Sequence, residues 1–210
     1  MEEVLDVYAE PYDSKRPVVC FDETSTQLLA ETRQPIPAQP GQPQRYDYEY
    51  RRHGTRNLFL HCEPLRGWRH VAITEQRTRR DFAHQMRWLV DEAYPQADKV
   101  RVVLDNLNTH RPASLYVAFP PAEARRIVKR LQFHYTPKHG SWLNMAEIEL
   151  SVLSRRCLRR RIHDEVALRR NIEALQNERN LARDSIDWRF NIQDARVKLH
   201  RLYPSKNQVD

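Results

Sequence analysis

Val18-Val-Cys-Phe-Asp22-Glu23 is an apolar run that ends on two acids, and Val100-Arg-Val-Val-Leu-Asp105-Asn106 repeats the pattern further along the chain. Both runs are short and rich in β-branched residues, as buried strands are. Pro17 has no N–H to give a sheet and is tolerated only near a strand's beginning, so the first strand is predicted over Arg16–Glu23. The second is predicted over Lys99–Asp105. In α/β sheets the carboxyl ends of strands open onto the ligand crevice, where a rigid scaffold holds an acid yet leaves it accessible. Either aspartate alone is as readily a turn former or the cap of a following helix. Two such strands in one chain favour a site.

The third acid of interest lies in Trp142-Leu-Asn-Met-Ala-Glu147-Ile-Glu-Leu150-Ser-Val-Leu153-Ser-Arg-Arg-Cys157. Leu143, Ala146, Leu150, Leu153 and Cys157 form an apolar helical stripe. Glu147 falls within it, so it is expected on the inward face, with Glu149 nearer solvent. An unpaired buried carboxylate costs several kcal/mol and calls for a cation. A border salt bridge to an arginine is the competing reading. Three converging carboxylates repel one another, and hard divalent ions with oxygen ligands, Mg²⁺ or Mn²⁺, relieve that repulsion. Two such ions about 4 Å apart serve phosphodiester chemistry.

Around these landmarks the other elements follow. Arg56–Cys62 and Trp68–Thr74 read as strands joined through the turn Glu63–Gly67. Gln34–Gln44 is Pro- and Gln-rich and reads as an exposed loop. Phe82, Met86, Leu89, Val90 and Ala93 recur at helical spacing behind a Thr78 cap, and Tyr94-Pro95 ends that helix. A basic helix is predicted over Pro120–Leu131, and a strand over Gln132–Tyr135. From Ser141 onward the chain is mostly helical. Asp164 caps a long helix with Val166, Leu168, Ile172 and Leu175 inside, and a further helix covers Ile192–Leu202. The sum is an α/β layered domain with a mixed sheet. The chain is divided into an N-terminal extension (1–15), a catalytic domain (16–162) and a C-terminal helical region (163–210).

Composition sets the bounds. A chain of 210 residues, 40% of them hydrophobic, can bury a sizeable core. No stretch approaches the roughly 20 apolar residues of a membrane span, and the acidic, proline-broken start is unlike a signal peptide. Cytoplasmic residence is expected. The three cysteines form no CxxC pair, so no zinc or disulfide framework is expected. A net charge of +7, carried mainly by arginine, favours an anionic partner.

Three segments together resemble the DDE transposases of bacterial insertion sequences in the mariner-like superfamily. They are Cys-Phe-Asp22-Glu-Thr-Ser, Leu-Asp105-Asn-Leu-Asn-Thr-His110 and Tyr-Thr-Pro-Lys-His-Gly-Ser-Trp-Leu-Asn144-Met-Ala-Glu147. The likeness runs from about Pro17 to Arg160. It implies an RNase H-like fold with a five-stranded mixed sheet. It implies Asp22, Asp105 and Glu147 as the catalytic acids and ligands of two Mg²⁺ or Mn²⁺ ions, cutting DNA at element ends and joining it to target DNA. The interval from Asp105 to Glu147 is longer than in typical mariner elements, and Pro112–Leu131 accounts for the difference. An inactive DNA-binding remnant is the alternative reading, and a resolvase-like nuclease a more distant one.

Other residues carry supporting expectations. Asn106, Asn108 and His110 are candidates to orient water or phosphate, with capping and turn formation as the competing roles. Asn144 is a candidate to position Glu147. Lys138, His139 and Trp142 are candidate DNA contacts, although an aromatic at a helix start is often a packing residue. Arg155, Arg156, Arg159, Arg160 and Arg161 exceed what a helix dipole needs and are expected on backbone phosphates. The resemblance further implies a homodimer on paired ends, in a bacterial nucleoid setting. The first catalytic strand begins by Arg16, which leaves no room before it for the family's helix-turn-helix region. End recognition is therefore expected from a separate portion, through frameshifting, excision or decay of the element.

Overall fold

Side chains along β1 (Val18–Glu31) alternate between two layers and so define the domain. Val19 and Phe21 enter one core with Phe82 and Met86, whereas Cys20 enters another with Met145 and Ala146. The computed structural model describes residues 1–203. β1 pairs antiparallel with β2 (Tyr50–Glu63), which pairs antiparallel with β3 (Trp68–Thr74). On its other edge β1 pairs in parallel with β4 (Val100–Leu104), and β4 with β5 (Leu131–Tyr135). The five-stranded order β3-β2-β1-β4-β5 is the mixed, RNase H-like sheet that the resemblance implied.

Helices cover both faces. α2 (Arg79–Trp88) starts at a Thr78–Asp81 capping box and runs into a π turn, Leu89–Ala93. Together with α3 (Ala113–Ala118) and α4 (Pro121–Arg130) it covers the Phe21 face through Phe82, Leu115 and Ile127. The opposite face is covered by α1 (Glu2–Ala9), α5 (Ala146–Leu153) and α6 (Glu165–Ala182). Asp164 caps α6 as expected, its side chain accepting the Ala167 N–H at 2.7 Å. α7 (Ile192–Lys198) packs against α1 through Ala195.

Several expectations need correction. β1 does not stop at Glu23, because β2 continues to pair with it as far as Glu31. Within residues 1–15, expected as an N-terminal extension, α1 was not foreseen, and its Val4, Leu5 and Val7 are buried in the core. α3 was unforeseen, its six residues being too few to show a period. Val166, expected inside, is 77% exposed, because the first turn of α6 projects beyond the layer that Leu168 enters. The Glu63–Gly67 turn stands as expected. Gly67 has φ +66°, and a Cβ there would lie 2.4 Å from the backbone of Arg183, so only glycine fits.

His61 projects from β2 into the Phe21 face and is fully buried beside Phe21 and Trp88. Burial pushes its imidazole down to about 3. The unfolded chain takes up this proton below about pH 6.5 while the folded chain refuses it. Stability is therefore lost as pH falls from 6.5 towards 3, at about 1.4 kcal/mol per unit. Urea unfolding at pH 7.5 and 4.5 should show a drop of about 2–3 kcal/mol attributable to His61. His61→Phe should remove that share, and an unchanged drop would assign it elsewhere.

Candidate active site

The parallel pairing of β1 with β4 ends at Cys20 and Val103, and the two strands diverge beyond it. Asp22 lies just past this fork and Asp105 directly follows β4. Asp22 is thus at the end of the parallel pairing, although β1 itself continues. By alternation Asp22 shares the Cys20 face, under α5, and Glu23 shares the Phe21 face.

Asp22 is 9% exposed. Burial and the charges of Glu147, Glu23 and Asp105 raise its carboxyl to about 7, against one opposing hydrogen bond from the Glu23 N–H at 2.8 Å. Among the described residues no Lys or Arg acts on it. Asp105 is half-buried. Its Oδ1 accepts from Nδ1 of His110 at 2.6 Å and from the Leu107 N–H at 3.3 Å. His110 is 1% exposed, and its Nε2 lies 2.9 Å from Glu23 Oε2. Glu23 Oε2 is buried and makes no hydrogen bond among the described residues, so this contact is an ion pair. Burial alone would lower the His110 pKa, but the two carboxylates outweigh it and raise it to about 9. Both ring nitrogens therefore carry protons at neutral pH and both face acids. His110 is a strut between Asp105 and Glu23. The expected role of orienting water or phosphate does not suit a ring enclosed in this way.

Glu147 occupies the first turn of α5 and is exposed, contrary to the inward placement expected of it. The buried acid of this helix is Glu149, 3% exposed, which accepts from Arg69 Nη2 at 3.3 Å and Arg179 Nη2 at 2.9 Å. The reason is local. Ser141–Leu143 is a 3₁₀ turn and Asn144 is extended (ψ 112°), so the helical register starts at Ala146. Counted from there, Ala146, Glu149, Leu153 and Cys157 face inward. Glu147 then points to the open side, where its charge acts on Asp22. Among the described residues it has no ion-pair partner, so the arginine bridge considered for it is absent.

Asn144 is wholly buried. Its Nδ2 donates to the Phe21 carbonyl at 2.8 Å, and its Oδ1 accepts the Ala146 N–H at 3.1 Å. It therefore ties the start of α5 to the residue before Asp22. Asn106 and Asn108 are exposed in the loop after Asp105, and so are Lys138 and His139 before α5. Trp142 is half-exposed and packs edge-on against Phe190, with centroids 5.4 Å apart. Two of the five arginines are held by acids: Arg156 by Glu178 and Arg161 by Glu31. Arg155, Arg159 and Arg160 are exposed. Glu23 was missed as a site residue. Its signal was its place beside Asp22 in alternation, which turns it towards the loop after β4.

The residues fit hard divalent cations. The donors are carboxylate oxygens, the type that Mg²⁺ and Mn²⁺ take. Burial first, and the neighbouring acids after it, raise the Asp22 carboxyl, and no Lys or Arg among the described residues offsets them. Among the described residues no three His, Cys, Asp or Glu side chains close on a single ion-sized point.

The mixed sheet in the order β3-β2-β1-β4-β5, with helices on both faces, is an RNase H-like fold. A model of the DDE superfamily endonucleases matches residues 17–169, and the chain belongs to that family. No curated protein matches it significantly. Among solved structures it is similar to the Mos1 transposase paired-end complex with left transposon end (15% identity, TM-score 0.39, covering 90% of this chain and 61% of that one). It is also similar to the Mos1 strand transfer complex (14% identity, TM-score 0.37, covering 90% and 60%). The chain thus spans about three fifths of the length of these structures. No described helix is long and apolar enough to cross a membrane.

Proposed function

We propose that the chain is the catalytic domain of a transposase, which cleaves DNA strands at element ends and transfers the freed 3′ end to target DNA. The observation that carries this reading is Asp22: a mostly buried carboxyl at about 7, surrounded by the charges of Glu147, Glu23 and Asp105 and paired with no cation. Asp22, Asp105 and Glu147 are the residues that would hold two Mg²⁺ or Mn²⁺ ions. When bound, such ions supply an activated water or 3′-hydroxyl and stabilise the leaving oxygen of the phosphodiester.

The chain's own residues prepare the site. His110 fixes the Asp105 carboxylate in orientation, since that oxygen is held at 2.6 Å. Asn144 fixes the start of α5 against β1 and thereby the approach of Glu147 to Asp22. Asn106 and Asn108 stand at the solvent side, free to meet substrate. A homodimer on paired ends, a separate helix-turn-helix portion and residence at a bacterial nucleoid belong to the same reading.

The test incubates the chain with uncut and pre-cut element-end DNA in Mg²⁺ or Mn²⁺, beside Asp105→Ala. Nicking or strand transfer that disappears in the variant and in EDTA is the expected result. Binding without cleavage by either protein, in every metal, would replace this reading with the non-catalytic remnant.

A further inference from the structure

The five-arginine run and α6 enclose a groove of about 900 Å³. We propose that this groove is a docking site for the sugar–phosphate backbone of duplex DNA, built from Arg155, Arg159, Arg160 and Arg170 and remote from the cutting acids. The proposal rests on the reading above that DNA is the substrate.

Among the described residues, six arginines and a single acid, Glu178, line the groove. Two of the six are already engaged. Arg156 grips Glu178 through two hydrogen bonds of 2.9 and 2.8 Å, which neutralises the groove's one carboxylate. Arg161 donates to Glu31 at 2.6 Å and to the Asp47 carbonyl at 2.9 Å, and lies over the Tyr50 ring. It pins the loop between β1 and β2. The other four are exposed and have no carboxylate partner among the described residues. Arg155 donates to Ser151 Oγ at 2.8 Å, its one side-chain hydrogen bond among the described residues.

Four unpaired guanidinium groups around one concavity repel each other, and anions relieve that repulsion. Their spread favours a polyanion over a single small ion. Among the described residues no Phe, Tyr or Trp lines the groove, so none offers a base a ring to stack on. Recognition there is by charge, which places a duplex without reading its sequence. Arg170 comes from α6, across the groove from the arginine run. It makes the site two-sided and could not be told in sequence from an ordinary solvated helix face.

Distance separates this site from the chemistry. Arg155 and Arg159 follow Glu147 by eight and twelve residues along a nearly continuous helical path. That is roughly 12–18 Å at about 1.5 Å per residue. With about 3.4 Å of duplex per base pair, the groove meets backbone some four to five base pairs from the phosphate at the acids. It anchors DNA and takes no part in cutting it.

The test measures binding of a short duplex of arbitrary sequence in EDTA, over a range of salt. Wild type is compared with Arg159→Gln/Arg170→Gln and with Arg125→Gln/Lys129→Gln, which removes equal charge from the exposed face of α4. All four residues are exposed, and thermal melting checks that the folds are retained. The slope of log K against log salt should fall by about 1.8 in the groove variant, near 0.9 for each lost phosphate contact. It should stay unchanged in the α4 variant. Equal changes in both variants, no change in the groove variant, or a wild-type protein that binds no duplex would each overturn the proposal. Metal-dependent cleavage is scored separately. Groove-dependent binding without cleavage leaves this site standing and removes the transposase reading, whereas cleavage without groove dependence does the reverse.

Discussion

Asp22→Asn is expected to abolish metal-dependent strand cleavage while making the metal-free protein harder to unfold. The amide keeps the oxygen that accepts the Glu23 N–H, so local geometry is retained. It removes a negative charge that is mostly buried and acted on by three other acids. At pH 8, where Asp22 is ionised, unfolding in EDTA should cost about 1–3 kcal/mol more than for wild type, the usual scale for an uncompensated buried polar group. Cleavage should fall by at least about 10³-fold, equivalent to about 4 kcal/mol of barrier. Adding Mg²⁺ or Mn²⁺ should stabilise wild type, by about 2.7 kcal/mol at a hundred times the dissociation constant, and should stabilise the variant far less. A variant less stable than wild type in EDTA, together with a wild type indifferent to metal, would show that these acids are not a cation site.

Glu149→Ala should have the opposite profile. Its carboxylate is shared by Arg69, 4% exposed, and Arg179, and its loss strands buried positive charge. Breaking one partner out of a buried pair typically costs about 3–5 kcal/mol. Urea unfolding should show that loss, and soluble yield should fall with it. Glu147→Gln, two residues earlier, should change stability by less than about 0.5 kcal/mol, as surface substitutions do, and yet lose cleavage. If Glu147→Gln unfolded the protein and Glu149→Ala did not, the assignment of buried and open faces on α5 would be reversed.

That pair also shows where sequence reading failed. The β2–β3 hairpin, the Thr78 cap and the Asp164 cap were legible because each rests on a local rule: turn length, or a side-chain oxygen over a helix start. Asp22 and Asp105 were legible because apolar runs ended on acids. The face of Glu147 was not, because counting from Leu143 assumed a helix through Asn144, where the backbone is extended. A stripe of apolar residues has meaning only inside one register, and nothing in Leu-Asn-Met announces the break. His110 is visible in the sequence, but its bridging of Asp105 and Glu23 is not. Its partner Glu23 is distant in sequence and becomes adjacent only when β1 and β4 pair. The burial of α1 was hidden for the same reason: its contacts are all long-range, and a short acidic segment before a proline carries no tertiary signal.

The packing of α1 matters for anyone who trims the gene. The family match begins at residue 17, which invites a cut there. Tyr8 donates its hydroxyl to the Leu143 carbonyl at 2.9 Å and receives the Met145 N–H at 3.4 Å. Those two bonds hold the stretch that delivers Glu147. A fragment starting at Pro17 would keep all three acids and every recognisable motif. It would keep the Asn144 tie to the Phe21 carbonyl but lose both Tyr8 bonds and the buried α1 side chains under α5, so a lack of activity in such a fragment would say nothing about the intact chain.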